Sequence, residues 1–114
     1  MAIAVATTRQ ALADAYKALG AHISVHTADP GTTGANEAAG GSPGYARKPT
    51  TWSSGTGGVL NGSQVVIDLP AGTYAWAGLW SAATGGTFLD KVAISSTTLG
   101  GQGQLLITPT YVQT

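Results

Sequence analysis

The sequence predicts a mainly β protein: a small antiparallel β-sandwich or barrel with one N-terminal α-helix, forming a single domain over residues 1–114. Three observations carry this expectation. Short runs rich in Val, Ile, Leu, Trp and Tyr recur at ~8–12-residue spacing, as in sandwiches and barrels. Glycine accounts for 17 of the 114 residues, and with Ser, Thr and Pro it breaks those runs into short strands joined by turns. Apolar residues at helical spacing occur in one convincing stretch, near the N-terminus.

Taken in order, Met1–Ala6 is an apolar arm, suited to an edge strand or to another subunit. Thr7–Leu19 is the helix, with Thr7 and Gln10 placed as N-cap and N3 of a capping box. Ala11, Leu12, Ala15, Tyr16 and Leu19 form its apolar stripe, Asp14 and Lys17 an outer pair, and Gly20 a C-terminal cap. Ala21–His26 alternates as a strand, with Ile23 and Val25 inward and His22 and His26 outward.

Thr27–Gly44 has no periodicity and carries the turn signal Asp29-Pro30-Gly31. Segments of that length without regular structure are functional or disordered more often than not, and this one reads as an ordered contact loop. Tyr45–Trp52 follows as a strand that Pro49 confines to a sheet edge. Ser53–Gly58 reads as a turn, Asn61-Gly62 after Val59-Leu60 as a hairpin turn, and Gln64–Leu69 as a strand closed by Pro70-Ala71-Gly72.

Tyr74–Ile94 reads as a central hairpin whose Tyr74, Trp76, Trp80 and Phe88 supply much of the core. Ser95–Gly103 reads as a polar connection, and Gln104–Val112 as a last strand interrupted by Pro109.

Charge bounds the function. Charged residues are 9% of the chain, five basic and five acidic, against roughly 25% in ordinary globular domains. A surface with so little charge suits a protein covered by neighbours. It argues against a nucleic-acid partner, which demands clustered Lys and Arg. No apolar run approaches the ~18 residues of a membrane span, and no signal peptide is evident. Cysteine is absent.

Candidate chemistry is sparse. His22 and His26 would sit ~13 Å apart on a strand, too far for one metal, and read as surface or subunit-contact residues. Ser42 lies in a G-x-S-x-G pattern, yet no strand-turn-helix context surrounds it. The carboxylates are scattered, with no acid–nucleophile pair, and Asp29 is better explained as an Asx-turn residue. No cofactor, metal or catalytic residue is expected. Trp76 and Trp80 read as core, and Trp52, in a polar segment, as the exposed aromatic.

The run Ser24–Glu37 (Ser-Val-His-Thr-Ala-Asp-Pro-Gly-Thr-Thr-Gly-Ala-Asn-Glu), then Gly40-Gly41, Tyr45-Ala46-Arg47 and Trp52, resembles a family of short virion proteins of tailed phages of actinobacteria. Gly78–Leu89 resembles that family's second signature. The chain departs from the pattern at Ser42-Pro43-Gly44 and at Asp90-Lys91. The resemblance implies a non-enzymatic structural protein, made in the host cytoplasm and carried in the virion. Its leading form is a capsid decoration or minor capsid protein, bound as a trimer to the major capsid protein lattice. The alternative is a minor tail or tail-fibre module that contacts tail proteins or host cell-wall glycan. The contact candidates are Thr27, Asp29, Pro30, Gly31, Asn36, Glu37, Arg47 and Trp52, together with the N-terminal arm.

Overall fold

Residues 2–114 are described by the computed structural model; Met1, the first residue of the expected arm, lies outside them. Among the described residues one helix, α1 (Ala6–Leu19), precedes nine strands. These are β1 (His22–His26), β2 (Lys48–Pro49), β3 (Trp52–Ser54), β4 (Val59–Gly62), β5 (Val65–Leu69), β6 (Gly72–Trp80), β7 (Phe88–Leu99), β8 (Gly103–Ile107) and β9 (Thr110–Val112). The chain is mainly β with an N-terminal helix, as the sequence predicts.

The strands form three antiparallel sheets, ordered β2-β1-β6-β7, β3-β4-β9 and β5-β8. The expected central hairpin is β6–β7, and β1 completes it by pairing along all of His22–His26 with Trp76–Trp80. β2, which carries Pro49, lies at a sheet edge, where a missing N–H donor costs little. The main core gathers Ile23 and Val25 of β1, Val65, Ile67 and Leu69 of β5, and Tyr74 and Leu79 of β6.

Several boundaries differ from expectation for local reasons. The expected Ser53–Gly58 turn is present and narrows to Gly55–Gly58 between β3 and β4, where Gly57 and Gly58 adopt φ of 75° and 106°. Asn61-Gly62 lies instead within β4, Gly62 facing Trp52 across the ladder. Ser95–Leu99 belongs to β7, whose Thr97–Leu99 pair with Gly72–Tyr74 of the long partner strand β6. Of the four hairpin aromatics only Tyr74 and Trp80 are buried; Trp76 and Phe88 are half-buried.

Helix α1 departs most. Its N-cap is Val5, which makes no side-chain cap bond. Thr7 lies inside the helix, and no capping box forms because the Gln10 amide is engaged elsewhere. Its Oε1 accepts from Gly58 N–H (2.9 Å) and Val59 N–H (3.1 Å), and its Nε2 donates to Val59 O (3.2 Å). Asp14 and Lys17 do not pair directly. Ser54 Oγ joins them, donating to Asp14 (2.6 Å) and accepting from Lys17 (3.0 Å). The body-facing side of the helix is therefore polar around Ala13, and Ala11, Leu12, Ala15 and Leu19 are exposed.

Gly20 is extended (φ 173°), not left-handed. A side chain there would strike Trp80 O at 2.5 Å and Ser81 Cα at 2.8 Å, so glycine serves a close approach between the helix end and β6.

Candidate functional site

The long loop between β1 and β2 packs on one face of the four-stranded sheet. Alternation along β1 directs Ser24 and His26 to this face and Ile23 and Val25 to the other. Both faces are covered, so all four residues are buried. His26 is fully buried rather than a surface residue. Its Nδ1–H donates to Ala35 O (2.8 Å), and its Nε2 accepts from Ser24 Oγ (2.7 Å). Ser24 in turn accepts from Trp80 Nε1–H (3.0 Å). This chain fixes a neutral imidazole, and burial holds His26 below its usual pKa.

The loop is ordered by its own polar groups. Asp29 Oδ1 accepts from Gly31 N–H at 2.8 Å, the Asx turn that Asp29-Pro30-Gly31 predicts. Asn36, at φ 61°, donates to Asp29 O (3.1 Å), and Thr27 N–H donates to Asn36 O (3.0 Å). Pro30 is buried beneath them. Lys91 of β7 pairs with Asp29 at 2.6 Å and lies 5.3 Å from the centre of the Trp76 ring. The Lys91 and Gly31 donors hold Asp29 below the ordinary carboxylate range.

Arg47 closes the loop. Its Nε and Nη2 donate to Glu37 Oε2 and Oε1, both at 2.9 Å, a planar two-point pair. Its Nη1 donates to Ala82 O (3.1 Å) and Gly85 O (2.9 Å) in the β6–β7 turn, and the guanidinium stacks 3.5 Å over Trp80. Tyr45 OH donates to Glu37 Oε2 (2.6 Å) and accepts from Val25 N–H (3.2 Å). Burial pushes Glu37 upward, but the Arg47 and Tyr45 donors outweigh it and leave the carboxyl below its usual range. Burial and the Glu37 bond push Tyr45 strongly up. Arg47-Lys48 is thus no phosphate site, since the arginine is consumed internally.

Seven of the eight candidate residues therefore belong to one cluster, and Trp52 stands apart. It is half-buried rather than free: its Nε1–H donates to Gly20 O (3.0 Å), and its ring meets Tyr16 edge-on at 6.3 Å. On that opposite side of the sheet Trp52 helps to line a cleft of about 430 Å³ with Tyr16, Tyr111, Asp90, Pro109 and Thr110. Tyr16 stacks on Tyr111 (3.7 Å, 11°) and donates to Asp90 Oδ2 (2.8 Å). Burial and the Asp90 bond raise the Tyr16 hydroxyl strongly, so it stays a donor.

The sequence reading missed this cleft because Tyr16, Asp90 and Tyr111 are far apart in the chain. Trp52, read from the sequence as the exposed aromatic and a contact candidate, is the one of these residues that pointed there.

A family model described as "Podophage GP4 fiber I protein gp80" matches residues 4–111. The chain belongs to this family. It is accordingly a phage virion structural protein, as the sequence resemblance implies. No curated protein and no solved structure matches it.

Proposed function

We propose that this virion protein is a fibre-type component, acts without catalysis, and uses the Trp52–Tyr16–Tyr111 cleft to hold host cell-wall glycan. The observation that carries the fibre reading is the family match over residues 4–111, nearly the whole chain. The cleft's chemistry suits a saccharide. Sugar rings offer apolar C–H faces to aromatic side chains and hydroxyls to polar groups. Here Tyr16, Trp52 and Tyr111 supply the aromatic surface, and Asp90 and Thr110 the polar groups. Trp52 acts as a wall of the cleft, since its indole nitrogen is already bonded to Gly20.

The test pairs two measurements. Particles with and without the gene are compared by cryo-EM, and purified protein is bound to isolated host cell walls. Density should vanish from a fibre or the tail, and Tyr111→Ala and Asp90→Ala should each lower cell-wall binding about tenfold, equivalent to ~1.4 kcal/mol. Equal binding by all three proteins removes the glycan role.

A second reading, capsid decoration, draws on the low charge of the chain, 9% of residues, which suits a protein packed against a shell. In it the outward residues Thr27, Asp29, Gly31 and Asn36 of the clamped loop meet the major capsid protein. Loss of density from the capsid surface in the same reconstruction selects this reading over the first.

A further inference from the structure

We propose that the outward face of α1 is a subunit interface, joining this chain to further copies of itself helix against helix. The inference concerns self-assembly of the purified protein and stands independently of where in the virion it sits.

Val5 at the N-cap, Leu12 and Leu19 are 57%, 43% and 56% exposed, three of the seven large apolar side chains that stand exposed among the described residues. They recur every seven residues. Thr8 and Ala15, at the intervening fourth heptad position, are exposed on the same face. This is the spacing of a helix seam that meets a partner helix by knobs-into-holes packing. It needs little supercoiling, since a straight helix drifts only ~20° per heptad from that repeat.

The second observation is the inversion of the helix. In an ordinary surface helix the apolar stripe faces the body and the charges face water. Here Arg9, Gln10, Asp14 and Lys17 are all bonded toward the body or the chain entering the helix, with partners at Gly57, Ile3, Val59 and Ser54. The exposed face of Ala4, Val5, Thr8, Ala11, Leu12, Ala15, Ala18 and Leu19 carries no charge.

The occupant is a second copy for two reasons. A heptad seam is matched by another heptad seam, and this chain supplies one. Selection of a different partner relies on charged or polar positions flanking the seam, and on α1 those side chains are turned inward. Area points to more than a pair. A 14-residue helix is roughly 21 Å long, whereas a stable interface buries about 800 Å² per partner. Around a symmetry axis each helix covers itself against two neighbours, and Ala2 and Ala4 of the exposed arm extend the contact.

The absence of cysteine makes the test direct. Leu12 is the midpoint of the seam, so copies meet there whether the helices run parallel or antiparallel. Oxidised Leu12→Cys protein should give a disulfide-linked species of twice the 11.3 kDa chain in high yield. Val92→Cys, at a more exposed site on β7, should give little. By light scattering the unaltered protein should be a multimer, and Leu12→Glu a monomer with an unchanged β circular dichroism signal. If Leu12→Glu does not fold, the difference between the two cysteine variants still decides. A monomeric unaltered protein at about 100 μM, or equal cross-linking at both sites, overturns the proposal.

Discussion

His26 shows how one side chain can tie stability to pH. It is buried, both ring nitrogens are bonded, and the charges nearest it are Glu37 and Arg47 from the loop and its flank. Protonation would place a second N–H against Ser24, whose oxygen already serves Trp80. The folded protein therefore resists a proton that the unfolded chain accepts near pH 6.5. The unfolded state binds more protons, so stability is full above that pH and falls as pH drops through it toward the depressed folded value. Glu37 adds a second decline as pH falls through 4.5 toward its own lowered value. Urea unfolding at about pH 7.5, 5.5 and 4 should give midpoints that fall at each step. His26→Gln should flatten the first step and Glu37→Gln the second. Parallel curves for all three proteins would contradict the assignment.

Among the elements, α1 shows both what the sequence made legible and what it hid. Its existence and its end at Leu19 follow from composition and spacing. Which side faces the body does not, because the surface beneath it is the backbone of the β3–β4 turn, and backbone amides select Gln10 and Arg9 rather than leucine. Gln10→Ala leaves the N–H groups of Gly58 and Val59 without their acceptor. It should cost about 1–3 kcal/mol in urea unfolding. Thr7→Ala, which a capping box would make costly, should change stability by less than about 0.5 kcal/mol. The reverse order would restore Thr7 as the cap. The strands were legible from β-branched and aromatic runs. The turn within Ser53–Gly58 was legible as well, and positive φ at Gly57 and Gly58 forms it; the second turn expected at Asn61-Gly62 does not form, because that pair lies in β4 opposite Ser53 and Trp52. The loop residues from Thr27 to Arg47 were legible as a group through the family pattern. The cleft was not, since Tyr16, Trp52, Asp90 and Tyr111 meet only through tertiary packing.

For the whole molecule, the sparse charges are mostly occupied. Nine of the ten charged side chains hold a hydrogen-bond partner: Arg9, Asp14, Lys17, Asp29, Glu37, Arg47, Asp68, Asp90 and Lys91. Composition announces the scarcity; only the fold shows that the charges serve as internal ties in a body 47 Å long and about 25 Å across. Arg47 is the tie with the widest reach, joining Glu37 in the loop to Ala82 and Gly85 in the turn. It is also a residue after which trypsin cuts, while the next basic bond, Lys48-Pro49, is protected by its proline. A glycine-rich segment on the outside of a particle is ordinarily the first place a protease enters. Here the scissile bond is reached only when loop and turn come away from Trp80 together. Digestion after Arg47 should therefore slow in step with global stability when urea is lowered. Rapid nicking at Arg47 under fully native conditions would show that the loop opens alone. A particle built from such chains carries the trypsin site of its longest loop folded into its own lock.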